Sequence, residues 1–590
     1  MRGLLVTFII LFLGHLLLAQ QTARPVALQR PSDYEYLSAP DSSGNRKPLK
    51  VALVNRLQEL KLPYPIIFVH GLNSNSTTWD STTNWMEAQY GLSFGGRFDF
   101  CLNYDADYYV ANKNFNDSNA DMALFVSNIV AGDYYYVNFD VSTEGLVSPG
   151  YWDNGFVRSN QSAIAKQGVA VKWAVERVLQ ETGRDKVILM GHSMGGLASR
   201  EYLQNPENWQ ADGRTHVAKL VTTGTPHGGS NSTAYNLGFL VGLDEETEAV
   251  RDLRRSYYYS EDSGVFLYGG REEMTDSTMD DNLGVDFYNV DVNCDGVTGQ
   301  DIVGLNEKSL HKDWDFAGIV GNCDGCWAED GGVGDGVVNT YCANLNNFYP
   351  ELNAETFYYN APAYAEIHTV LPGLNSENML GLDEPDKFEL AYKIEVNKNY
   401  TGFITMQAVE PLGYDYDYFK FTMPYTGTVT ITLNNIQHPE LTIALFDSVF
   451  TSPGFVVQEF GNAQLTLSEP LMRGDYFLRV SAIAGPESYL GSYDFIVETN
   501  LLSSVSHTGN KRDAIHIYPN PATWELSIDT KDVSKISEIE VITSLGEVIY
   551  KTSEIETITR INVADFPEGM YILKLVSDNN VISKKFIRSE

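Results

Sequence analysis

The chain has 590 residues, 43 % hydrophobic and 20 % charged, with a formal net charge of −36 and a pI near 4.6. At roughly 100–200 residues per domain, that length suggests about three or four domains, and the apolar share excludes a disordered chain. So acidic a surface repels phosphate backbones, which excludes nucleic-acid binding as a main function.

Arg2 is followed by an apolar run from Leu4 to Leu18, broken only by Thr7, Gly14 and His15, with the small residue Ala19 before Gln20. Residues 1–19 therefore read as a secretory signal peptide. The run is shorter than the ~20 residues a membrane span needs, and no later stretch is long and apolar enough. The mature protein is expected to have no transmembrane span. Residues 20–55 form a polar leader.

Residues 56–382 alternate short apolar strands with helical stretches. Ile66–Val69, Val187–Met190, Lys219–Thr222 and Ala317–Val320 are the predicted strands. Gln161–Thr182 is a predicted helix: Ile164, Gly168, Val171, Val175 and Val178 share one face, and Gly183 ends it. Strands separated by helices predict an α/β fold, a mostly parallel sheet covered on both faces.

Gly191-His192-Ser193-Met194-Gly195 lies directly after a predicted strand and before a helical stretch, Gly196–Leu203. A G-x-S-x-G in that setting puts the serine on a sharp turn, its hydroxyl raised above the sheet as a nucleophile. Acyl transfer also needs two amide donors for a developing oxyanion. Met194, after the nucleophile, supplies one. Leu72, in the loop His70-Gly71-Leu72 after the early strand, supplies the other, with His70 a structural residue holding that loop. Thr223 to Ser230 forms a tight turn closing the strand Lys219–Thr222.

Together His70-Gly71-Leu72-Asn73 with Trp79, Gly191 to Gly196, and Thr225-Pro226-His227-Gly228-Gly229-Ser230 resemble the α/β-hydrolase superfamily, and within it the bacterial lipases. The resemblance spans roughly residues 60–380 and implies ester hydrolysis by a Ser–acid–His triad in that order. Of the histidines, only His311 and His368 come late enough. His368 lies near the end of the domain, where such hydrolases place the general base, whereas His311 reads as an exposed insertion residue. The acid is assigned to Asp335, in Asp335-Gly336-Val337-Val338, after the strand near Ile319 and before His368. The alternative is that Asp335 joins Asp324, Glu329 and Asp330 in a calcium-rich loop. The departure from the family pattern is the stretch Cys323–Gly334 between strand and acid.

Residues 231–290 read as a cap and 291–334 as an acidic insertion. Within the insertion, Asp291, Asn293, Asp295, Val297 and Asp301 place oxygen ligands at alternate positions around Gly296, which resembles the calcium loops of dockerins and EF-hands. Asp301 comes one residue earlier than that pattern's closing acid. The expected ion is a structural Ca²⁺; no cofactor is expected for catalysis. Five cysteines, Cys101, Cys294, Cys323, Cys326 and Cys342, imply local disulfides in an exported protein.

From Asp383 the pattern becomes short strands between turns, an all-β sandwich over residues 383–500. Asp383-Glu384-Pro385, Asp415–Phe421, Gly427–Leu433 and Gly474–Val480 resemble the bacterial pre-peptidase C-terminal domain, an accessory module. Residues 501–515 are a linker. Residues 516–590, from Tyr518-Pro519-Asn520-Pro521 through Gly569-Met570-Tyr571 to Lys584-Lys585-Phe586-Ile587, resemble the type A sorting domain of the type IX secretion system. That implies a Bacteroidetes-type bacterium, the type IX machinery as partner, and a secreted or cell-surface protein. The expected function is cleavage of carboxylic esters, lipids included. A related amidase, phospholipase or acyltransferase, or a non-catalytic surface-binding protein, stays open.

Overall fold

The computed structural model describes residues 26–28, 44–46, 49–52, 59–102, 123–126, 128–142, 145–147, 159–230, 248–253, 304–326, 332–359, 380–406, 414–438, 441–447, 455–458, 464–483, 489–499, 515–530, 536–543, 548–577 and 580–589. Nine strands join one sheet: β1 Val26–Leu28, β2 Ile66–Val69, β3 Phe94–Cys101, β4 Ala123–Val126, β5 Tyr134–Asn138, β6 Val187–His192, β7 Val217–Thr223, β8 Asp315–Gly321 and β9 Glu355–Tyr359. Their order is β1-β4-β3-β5-β2-β6-β7-β8-β9. Only β3 and β4 pair antiparallel.

Strands buried on both faces are apolar at every position, and β2 shows why. Ile67 and Val69 face a core built with Val171, Ala174, Val175 and Val178 of helix α2 (Ile164–Thr182) and Ala198, Tyr202 and Leu203 of helix α3 (Met194–Gln204). Ile66 and Phe68 face the opposite way, against Trp79 and Met86 of the turn and helix after them, α1 (Asp80–Tyr90). The predicted helix from Gln161 begins at Ile164 instead. Ala163, with ψ of 142°, is not helical, and Ser159–Gln161 make a separate 3₁₀ turn. Gly183 ends α2 in the left-handed conformation, φ 66°, as its position predicts.

The region after Asp383 forms two packed sheets. One contains β10 (Tyr392–Lys393), β12 (Tyr414–Met423), β17 (Gly474–Ile483), β14 (Thr442–Asp447) and β15 (Phe455–Gln458), in that order. The other runs β11 (Asn399–Met406), β18 (Tyr489–Thr499), β13 (Gly427–Asn434) and β16 (Gln464–Leu471). β16 alternates cleanly but carries Pro470, which a strand tolerates at a sheet edge, where β16 lies.

The last region forms the sheets β19 (His516–Tyr518)–β20 (Glu525–Asp529)–β23 (Ile558–Asn562) and β22 (Val548–Thr552)–β21 (Ile536–Thr543)–β24 (Gly569–Ser577)–β25 (Asn580–Arg588). Strands β24 and β25 form an antiparallel hairpin, with Ser577 opposite Asn580.

Candidate active site

The parallel register brings the motifs to one edge of the sheet. Val69 pairs with Gly191, and His192 pairs with Thr223, which pairs with Ile319. The segments that leave β2, β6, β7 and β8 therefore start side by side. Ser193 sits at the sharp turn between β6 and α3, with φ 52° and ψ −125°, and is half-buried. A non-glycine residue held there costs of order 1–3 kcal/mol. The surroundings enforce it: Ser193 N–H donates to Thr223 O at 2.8 Å. A Cβ on Gly191 would stand 2.4 Å from the Gly196 nitrogen, and one on Gly195 would stand 2.4 Å from Val69 O. Neither position admits a side chain, so the spacing of the motif is a packing requirement.

The loop after β2 lies directly on this turn, because a Cβ on Gly71 would come within 2.8 Å of Ser193 Cβ. His70 holds the loop. It is fully buried; its Nδ1 lies 2.8 Å from Gly71 O, and its Nε2 accepts the Phe139 N–H at 2.8 Å. Burial lowers its pKa to about 4, so the ring is neutral. Trp79 supports the turn from below, its ring edge-on to His192 at 6.4 Å. Met194 is the first residue of α3, so its N–H has no acceptor within the helix and lies at the positive end of the helix dipole. Leu72 and Met194 also share an apolar cluster with Ile164, Leu197 and Leu305, and with Ala249 and Leu253 of helix α4 (Glu248–Leu253). That helix is the described part of the predicted cap. Its Asp252 accepts the Ile164 N–H at 2.8 Å.

Asp335 stands at the end of β8, where a Cβ on Gly321 would come within 2.5 Å of its own Cβ. The stretch from Cys323 to Gly334 does not carry it away. Cys323 and Gly334 exchange two backbone hydrogen bonds, 3.1 and 3.0 Å, so the insertion loops out and closes at its base. Asp335 is 3 % exposed, and its Oδ1 accepts from the Val337 and Val338 N–H groups at 2.9 and 2.7 Å. Burial raises its pKa to about 6, against the opposing pull of those amides. Asp324, its suggested partner in a calcium-rich loop, is exposed, while Glu329 and Asp330 lie outside the described residues. Cys323 and Cys326 form a disulfide, and Cys101 and Cys342 are buried.

His311 precedes β8, at the opposite end of the parallel strands from Ser193, and packs against Trp209 and Trp314. His368 comes after β9 in the chain and lies outside the described residues, as do Asp291, Asn293, Asp295, Val297 and Asp301. Among the described residues no group of three or more His, Cys, Asp or Glu side chains could hold a metal ion.

Residues 142–342 match the alpha/beta hydrolase fold family, a span that contains β6 with Ser193 and β8 with Asp335. The chain carries an α/β-hydrolase domain. Residues 516–589 match the secretion system C-terminal sorting domain, which sends the α/β-hydrolase along the type IX route to the cell surface or beyond. No helix of the described residues is long and apolar enough to cross a membrane. Among solved structures, the chain is similar to a Bacillus licheniformis lipase in its propeptide form, at 15 % identity and a TM-score of 0.27, covering 90 % of this chain and 95 % of that one. It is also similar to a putative aryl esterase of Burkholderia cenocepacia, at 15 % identity and a TM-score of 0.21 over 53 % of this chain and 88 % of that one. The pre-peptidase C-terminal domain of a Bacillus anthracis collagenase matches 20 % of this chain and 99 % of its own length, at 18 % identity and a TM-score of 0.16. At these scores the likenesses carry no argument about what the hydrolase domain acts on.

Sequence reasoning missed one set of residues here. Arg200 and His227, fully buried, join α3 to the turn after β7. The signal was available: an arginine in the apolar body of the helix after the nucleophile needs buried partners.

Proposed function

We propose that the protein is a secreted serine hydrolase that cleaves carboxylic esters, lipid esters among them, through an acyl-enzyme. The observation that carries this reading is the strained turn at Ser193, flanked by the Leu72 loop and, two strands away, by the buried Asp335. Ser193 Oγ attacks the ester carbonyl while His368 takes its proton, and the oxyanion is held by the Leu72 and Met194 N–H groups. His368 then protonates the departing alcohol. Water attacks the acyl-enzyme by the same route in reverse roles. Asp335 orients His368 and stabilises its imidazolium form. The apolar cluster beside Leu72 and Met194 supports an acyl chain as the group lying there.

A fluorophosphonate probe should label the chain at Ser193, and Ser193→Ala should abolish both labelling and ester turnover. Undiminished turnover by a folded Ser193→Ala protein would sink this reading. Nitrophenyl esters of graded chain length, run beside amide and phospholipid substrates, separate an esterase or lipase from the related acyl hydrolases. We further propose that the loop Asp291–Asp301 holds a structural calcium ion through Asp291, Asn293, Asp295, Val297 and Asp301. Chelation should then lower the melting temperature and added calcium should restore it.

A further inference from the structure

The turn from Thr223 to Ser230 lies between the nucleophile and the acid, because β7 lies between β6 and β8. It is packed hard on both sides. Towards the nucleophile, Ser193 N–H donates to Thr223 O, and a Cβ on Gly196 would fall 2.2 Å from Thr225 Oγ1. Towards the acid loop, Gly228 N–H donates to Cys342 O at 2.9 Å, and Ser230 Oγ donates to Val337 O in a short hydrogen bond. A Cβ on Gly228 would meet Cys342 Sγ at 2.6 Å. The turn therefore fills the space between the two reacting side chains and has no room to shift.

One buried network fixes its position. Arg200, on the second turn of α3, is fully buried and places Nη1 3.2 Å from His227 Nδ1. Its Nη2 donates to Asn306 Oδ1 at 2.9 Å, and Asn306 Nδ2 donates to His227 O at 2.8 Å. Tyr349 OH lies 3.2 Å from the same guanidinium nitrogen, and Gln204 Oε1 accepts from Nε at 2.9 Å. Burial, and then the Arg200 charge, hold His227 well below the usual histidine range, so the ring is neutral. Since an arginine can only donate, His227 Nδ1 is the acceptor and Nε2 carries the hydrogen, 3.2 Å from Thr222 Oγ1. A guanidinium buried among neutral acceptors is a costly arrangement that ordinary packing does not need.

We propose that Arg200 and His227 are positioning residues for catalysis, locking the turn Thr223–Ser230 as a fixed spacer that sets Asp335 at its working distance from Ser193. This rests on the triad reading above. Neither side chain is placed to touch substrate; both act through the acid loop. A shift of about 1 Å at the acid misaligns the histidine it orients and costs on the order of 10²-fold in rate.

The test uses the full secreted chain and a nitrophenyl ester. His227→Leu removes both ring contacts, whereas His227→Asn keeps an acceptor near the Nδ1 position. For His227→Leu, kcat should fall by about 10²-fold with KM little changed. A carboxylate near an imidazolium raises its pKa, so a displaced Asp335 should also move the acidic limb of the kcat profile to lower pH. His227→Asn should recover most of both effects. If His227→Leu does not fold, Ser230→Ala, which cuts the contact on the acid side, should show the same changes more weakly. A folded His227→Leu, or failing that Ser230→Ala, with wild-type kcat and pH profile overturns the spacer. Asp335→Asn separates the two readings: if it stays active, the triad assignment fails; if it is inert while the spacer variants are normal, only the spacer fails.

Discussion

The two β regions appended to the hydrolase sheet are built alike and joined to it differently. The sandwich of β10–β18 shares one continuous core with the catalytic sheet, in which Tyr64, Ile66, Phe68 and Val221 lie with Tyr392, Phe403, Ile404 and Phe419. Tyr64 packs on Tyr392 at 4.9 Å and Tyr90 on Phe403 at 4.8 Å. Arg184 stacks on Tyr400 and donates to its hydroxyl at 3.0 Å. Lys219, buried in the middle of β7, reaches Asp383 at 2.8 Å and Asp315 at 3.3 Å. The sorting domain, in contrast, has its own core of residues 515–586, and the hydrogen bonds and ion pairs described for it close within it. A module with a self-sufficient core can be cut off without exposing the rest. A module that shares its core with the sheet cannot leave without exposing that core.

The largest effect should come from cutting the chain at the composition boundary. A fragment of residues 56–382 ends one residue before Asp383 and strips Tyr64, Tyr90, Arg184 and Lys219 of their partners in the sandwich. It should fail to melt cooperatively and should lack esterase activity, whereas residues 56–499 should fold and work. An active, cooperative 56–382 fragment would break the comparison. The next effect is a single side chain. Burial opposes the Lys219 charge, yet Asp383 and Asp315 hold its pKa well above the ordinary value. Removing one partner of a buried pair costs about 3–5 kcal/mol, so Lys219→Met should lower stability to denaturant by that order.

The two regions should also answer pH with opposite signs. Burial drives the carboxyls of Glu384, Asp415 and Asp417 well above their ordinary range, and neighbouring carboxylates add to it. A folded-state pKa raised above the unfolded value gives stability that is complete below about pH 4 and is lost as pH rises through the raised value. The melting temperature of the catalytic unit should thus fall as pH rises above about 4. In the sorting domain, Lys574 and Lys551 bring Glu540 down to about 2. That contribution is present above the ordinary glutamate value of 4.5 and is lost as pH falls towards 2. Melting the two parts separately across pH checks both; parallel slopes would show that the pairing of charges has been misread.

How much of this was legible follows from the distance over which each signal acts. The elbow at Ser193, the loop at Leu72 and the helix end at Gly183 are written in consecutive residues, because backbone geometry dictates glycine at fixed offsets. The position of Asp335 beside the end of β8 was reachable because it follows the predicted strand closely in the sequence. The junction with the sandwich was not. Lys219 and Asp383 are 164 positions apart, and each alone looks like an ordinary strand residue or linker acid. A lysine inside Val217-Ala218-Lys219-Leu220-Val221, and aspartates at alternate positions 415 and 417 of a strand, were the available hints. The Arg200–His227 network stayed hidden for the same reason, since its partners Asn306 and Tyr349 are supplied from far along the chain.

The smallest effect should come from removing the sorting domain. Its inward side chains Leu526, Ile528, Ile539, Val541, Leu573, Leu575 and Phe586 are buried against one another, a core that among the described residues is built from the domain alone. Trp524, which alternates with Leu526 and Ile528 in the sequence, is 64 % exposed, at the end of the pattern and outside that core. Cleavage in the linker 501–515 should therefore leave kcat, KM and the main melting temperature of the catalytic unit unchanged, and should delete one separate transition from the calorimetric trace. The mature secreted form should have a mass that ends within that linker. A culture-medium protein that ends at Glu590, or a cleaved form that melts earlier than the full chain, would show that the sorting domain is joined to the rest as firmly as the sandwich is.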